Sequence, residues 1–98
     1  MEGIRLHADT VLDAYALRVA AKHVTELDLI GGSEAHERLW DMAHKLIKED
    51  ITETGYSSDI MAVLTLAVWN KRPWLCVLNA LRELGAIIEE EEDARAED

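Results

Sequence analysis

Apolar positions recur at three- and four-residue intervals through most of the chain, and Gly31-Gly32, Gly55 and Pro73 interrupt them. The interruptions leave four segments of helical length, a pattern that predicts an all-α fold, a compact bundle of about four helices. In the first segment Asp9 or Thr10 is placed to accept hydrogen bonds from the free amides of a first turn. Val11, Leu12, Tyr15, Val19 and Leu27 then fall along one stripe. Ala8, Ala14, Ala16, Ala20 and Ala21 favour helix and leave room for a closely packed neighbour. In the second segment Ser33 is positioned as the cap, with Glu34 and Glu37 near the positive helix end. Leu39, Ala43, Leu46 and Ile47 make its buried stripe, and Asp41, Lys45, Lys48 and Glu49 its wet face. Glu34–Arg38 and Asp41–Lys45 are spaced for exposed ion pairs, and Gly55 is the expected stop.

The third segment breaks the amphipathic pattern. Ser57 or Ser58 can cap it and Asp59 suits its first turn, but Ile60 to Trp69 is apolar apart from Thr65. A helix that is apolar all round must be covered all round. Either the other helices wrap it, or a second chain covers its outer side. Pro73 suits the first turn of a fourth helix, whose face is lined by Trp74, Val77, Leu78, Leu81, Leu84 and Ile88. If Gly85 caps that helix, Ala86-Ile87-Ile88 is a separate docking segment; if not, the helix runs on into the glutamates and frays.

Charge then changes the picture. Residues 89–98 hold seven of the twenty acidic side chains and one base, which supplies −6 of the formal −10 charge. Glu89, Glu90, Glu91 and Glu92 are consecutive and repel one another, so the reading is a helical domain over residues 1–88 and a disordered acidic tail over 89–98. An anionic protein is repelled by a bare duplex and by an anionic membrane, and attracted by a cationic surface. The length of 98 residues suits one domain. The longest apolar run is ten residues, Ile60 to Trp69, about half of what a membrane span needs. Met1–Arg5 contains Glu2 and precedes no long apolar stretch, so no signal peptide is expected. The lone Cys76 suits a reducing compartment, the cytoplasm.

Candidate chemistry is sparse. His36, Glu37, Asp41 and His44 crowd the second helix, with His23 and Glu26 on the first. Asp41-Met42-Ala43-His44 is loosely similar to the carboxylate-x-x-histidine pair of di-iron bundles, but no second pair exists. No metal or other cofactor is expected, and a metal-binding bundle is the weakest alternative. Cys76 between Leu75 and Val77 reads as an inert buried thiol. No phosphate loop, Gly-x-Ser-x-Gly or His-Glu-x-x-His is present, so an enzyme is not expected.

Residues 58–84 have the proportions of a helix-turn-helix, and Leu81–Ile87 is similar to the helix end and following strand of winged-helix proteins. Its recognition helix, however, offers only Asn79, Arg82 and Glu83 to bases. DNA binding is therefore the alternative reading, not the main one. Trp69 and Trp74 flank Asn70-Lys71-Arg72-Pro73, the most basic short stretch, and Trp and Arg are common among residues that dominate binding energy. The sequence thus points to a non-enzymatic acidic module that binds another protein with a basic surface. It would act as an inhibitor, an immunity-type or anti-defence protein, or an adaptor, and would form a homodimer. Its candidate partner-binding residues are Tyr56, Trp69, Lys71, Arg72, Trp74 and Glu89 to Glu92.

The tail has almost no apolar surface to bury, whereas ordering it would cost about 1–2 kcal/mol per residue. Deletion of residues 90–98 is expected to move the melting temperature by less than about 5 °C, roughly 1 kcal/mol for a domain of this size, in a thermal melt followed by circular dichroism.

Overall fold

The computed structural model describes residues 4–27, 31–51 and 55–89. It is all-α with one small addition. A strand β1 (Ile4–His7) is followed by helices α1 (Ala8–Leu27), α2 (Gly32–Asp50), α3 (Tyr56–Trp69) and α4 (Trp74–Glu83), then by a second strand β2 (Ala86–Glu89).

Helices α1 and α2 form an antiparallel hairpin, since the start of α1 meets the end of α2 through His7 and Asp50. The face of α1 that meets the core is Val11, Ala14, Arg18 and Ala21. That overturns most of the stripe expected from the sequence. Val11 and Tyr15 do face the core, but Leu12, Val19 and Leu27 are 46%, 44% and 51% exposed. The physical reason is close approach: Ala14, Ala21 and Ala43 are fully buried, and small side chains let two helix backbones pack tightly where larger ones would hold them apart. On α2 the expected stripe holds, with Ala43 and Ile47 buried and Leu39 and Leu46 half-buried.

Helix caps differ from the sequence reading. Ser33 lies inside α2, whose N-cap is Gly31 with no side-chain cap bond. The same is true of Ser57 and Ser58 in α3, which starts after Gly55 at φ 95°. Gly55 therefore does not stop α2, which closes at Ile51; its positive φ, which glycine adopts without strain, turns the chain into α3 instead. Asp9 and Thr10 lie within α1, and the amide of His7 just before the helix donates to Asp50 Oδ2 at 2.8 Å.

The strands were not foreseen as a sheet. β1 alternates buried Ile4 and Leu6 with exposed Arg5 and His7, a half-buried strand pattern. β2 lies parallel to it in the register Ile4↔Ala86 and Leu6↔Ile88. Gly85, at φ 104°, ends α4 and redirects the chain, so Ala86-Ile87-Ile88 is the separate docking segment of the two alternatives. Glu89, placed with the tail on sequence grounds, closes β2 and pairs with Arg5; Glu90, Glu91 and Glu92 lie outside the described residues.

The core is one cluster that joins all six elements, with Leu6, Val11, Ile47, Ile60, Leu64, Val77 and Leu81 almost wholly buried. Asp50 ties it together at one end. Its carboxylate takes both the His7 amide and, through Oδ1 at 2.9 Å, the His7 ring Nδ1. Replacing Asp50 by Ala leaves the α1 entrance without its acceptor. It should lower stability by about 1–2 kcal/mol, seen as a fall of roughly 5–10 °C in the calorimetric melting temperature. Asp50→Asn keeps an oxygen for the amide and should lose less.

Candidate helix-docking face on α3 and α4

Helices α1, α2 and α4 cover one side of α3 and leave the other open. Ile60, Met61, Leu64, Ala67 and Val68 are buried, whereas Ala62, Leu66 and Trp69 are exposed. Leu66 is 63% exposed, as is Leu75 at the start of α4. Of the two readings of the apolar segment, wrapping by the other helices holds for the inner side alone: among the described residues nothing covers the outer side.

Leu66 stands as a ridge between two grooves. One, of about 530 Å³, runs between Trp40 and His44 of α2 and Ser58, Met61, Ala62 and Thr65 of α3. The other, of about 300 Å³, is bounded by Val63 and Ala67 of α3, Asn70 and Arg72 of the turn, and Cys76 and Ala80 of α4. Among the described residues no carboxylate lines either groove, although acids outnumber bases 20 to 10 in the chain. Cys76, expected to be buried, is exposed. The reason is angular: Val77, Leu78 and Leu81 make the inner face of α4, and the residues just before Val77 turn outward.

The wall of the first groove is fixed by an unusual partner. The Arg18 guanidinium lies 3.2 Å from the centre of the Trp40 ring, and His36 stacks on the same indole at 6.0 Å. Arg18 is 3% exposed, and its Nε and Nη1 have no hydrogen-bond partner among the described residues. Burial draws its pKa down from 12.5 to about 10, so the side chain is still charged at neutral pH. A desolvated cation against a π face is attractive by about 2 kcal/mol, which offsets only part of the cost of removing a charge from water.

At the α3–α4 corner the two tryptophans part ways. Trp74 is half-buried and packs at 5.6 Å on Tyr15, whose hydroxyl donates to the Arg72 carbonyl at 3.3 Å. Trp69 is 48% exposed, with Lys22 Nζ 5.0 Å above its ring. Lys22 also pairs with Glu26 at 3.0 Å. That bond and the Lys22 charge, with Lys71 nearby, hold the Glu26 carboxyl below its ordinary range. Lys71 and Arg72 are both exposed. Tyr56 is exposed at the far end of α3, about 20 Å from Trp69 at the rise of an α-helix. The structure therefore groups Trp69, Lys71 and Arg72, sets Trp74 into packing, and separates Tyr56 and Glu89 from them.

Other candidates disperse. His36 is stacked on Trp40, His44 lines a groove, and Glu37 and Asp41 face water. Among the described residues no group of three or more His, Cys, Asp or Glu side chains is arranged to hold a metal ion. The outer face of α4 presents Leu75, Cys76, Asn79, Arg82 and Glu83, with Arg82 its one base. No described helix is long and apolar enough to cross a membrane. Leu66 could not be singled out from the sequence, because a helix apolar on every side gives no phase from which to choose its outer face; Leu75 stands off the inner face of α4 that its periodicity marks.

The class these observations define is a small all-α protein with one largely apolar helix face left open among the described residues. No protein-family model, curated protein or solved structure matches the chain.

Removing the Arg18 charge tests how Trp40 is held. Arg18→Met keeps the aliphatic stem and deletes the desolvated cation, so it should stabilise the protein by about 1 kcal/mol, a rise of roughly 5 °C in a thermal melt. A fall in melting temperature would show that the cation is satisfied in solution.

Proposed function

We propose that this protein is a non-enzymatic binding module that works by docking another protein on the α3–α4 face. The observation that supports the reading is Leu66, 63% exposed in the middle of a helix with one charged residue, Asp59. A fully buried leucine is worth about 1.5–3 kcal/mol relative to an exposed one, so the isolated chain forgoes that gain and a partner recovers it. Leu75, Trp69 and the two grooves extend the ridge into a surface of alternating knobs and hollows, the form in which helical partners are read.

The acid excess acts on top of this contact. A chain of formal charge −10 steers toward basic proteins and away from nucleic acid and other anionic surfaces. The reading is of an inhibitor or adaptor that meets a protein with a cationic surface, in a reducing compartment where the exposed lone thiol of Cys76 persists.

The full chain, used as bait in extract of its source cell, should retain a protein with a basic patch, and raised salt should release it. Leu66→Asp combined with Leu75→Asp keeps the charge sign and places carboxylates on the face. That variant should retain at least about tenfold less partner, a difference of about 1.4 kcal/mol. Undiminished retention would remove the α3–α4 face from the reading.

A further inference from the structure

We infer that His7 is an acid-set clasp. Protonated, its ring fastens both α2 and β2 to β1; neutral, it fastens α2 alone. The clasp lies where the two strands meet the end of α2 and is independent of the α3–α4 face.

The alternation of β1 turns His7 outward with Arg5, and the register sets it beside Glu89 of β2. The same ring lies against the last residue of α2. Its Nδ1 is 2.9 Å from Asp50 Oδ1, and its Nε2 is 3.8 Å from Glu89 Oε1. Each ring nitrogen thus faces a carboxylate, and the two carboxylates belong to different elements.

A neutral imidazole carries a single N–H. The shorter contact takes that proton, so Nδ1 donates to Asp50, whose other oxygen already accepts the His7 amide at 2.8 Å. Nε2 is then a lone pair turned toward the negative charge of Glu89, a repulsive pairing. Protonation converts that lone pair into a second donor and places a cation between two anions.

The charges around the ring favour the cation. Three elements pack against β1: α1, α2 and β2. On α2 the Asp50 side chain is 14% exposed, so its attraction is screened less than that of a surface carboxylate. The exposed Lys48 and Glu49 before it offset each other, and the nearest acid of α1 in the chain is the exposed Asp9. On β2 Glu89 faces the ring, while Arg5 of β1 pairs with Glu89 and opposes part of the effect.

The folded chain therefore holds the His7 proton more tightly than the unfolded chain, in which histidine titrates near about pH 6.5. The added stability is fully present well below that value and is lost as pH rises through the folded midpoint. Glu89 opens the acidic run of the sequence, so the clasp fastens the start of that run in mild acid and loosens it in mild base.

A titration of the His7 ring by NMR in the full chain tests this. Its midpoint should lie at higher pH in the folded chain than in the same chain unfolded by urea. Asp50→Asn and Glu89→Gln should each lower the folded midpoint. In urea denaturation, moving from about pH 8 to about pH 5.5 should raise the folding constant of the native chain about two- to fivefold more than that of His7→Gln, the span of partly exposed ion pairs. A folded midpoint equal to the urea value overturns the clasp, and that comparison needs no variant to fold. A midpoint that Glu89→Gln leaves unmoved overturns it as well, because the ring then serves Asp50 alone.

Discussion

Helix α3 cannot be exposed on any side without leaving apolar surface in water, and the rest of the molecule is arranged around that constraint. The α1–α2 hairpin and α4 close over Ile60, Leu64, Ala67 and Val68, and α3 becomes the element that all three other helices share. One chain of this size has too few helices to enclose a fourth completely. Four helices packed side by side each keep one flank outward. On an ordinary amphipathic helix that flank is polar. Here it is Ala62 and Leu66, an apolar surplus that follows from the number of helices available to cover α3.

The alanines of the hairpin make the inner cover possible. Ala14, Ala21 and Ala43 let α1 and α2 approach closely, which displaces Leu12 and Val19 to the surface. The same tight hairpin draws Arg18 out of water and lays its guanidinium on Trp40. Trp40 is thereby held from one side by a cation and from another by His36, and the indole that walls the larger groove is fixed in place. A rigid wall reduces the ordering cost of any contact made there.

The two strands close the other end of the chain. β1 and β2 are the first and last described elements, and their parallel pairing encloses all four helices in a single connection. That pairing, with the His7–Asp50 bonds, couples both termini of the fold to the α1–α2 hairpin. It also brings Glu89 against Arg5, so the acidic run starts from an anchored residue.

By itself the sequence determined the number of helices, their breaks at Gly31, Gly55 and Pro73, the inward face of α2, and the oddity of α3. These depend on local periodicity and on backbone chemistry that acts within a few residues. It also held β1 in plain alternation, Ile4 and Leu6 against Arg5 and His7, but a four-residue strand has no meaning without the partner eighty residues away. Tertiary structure alone decided which side of α3 and α1 is covered, that Cys76 faces outward, that Trp74 packs while Trp69 stays half-open, and that Arg18 is buried. Each of these is a choice between faces of the same helix, and the neighbour that comes closest makes it.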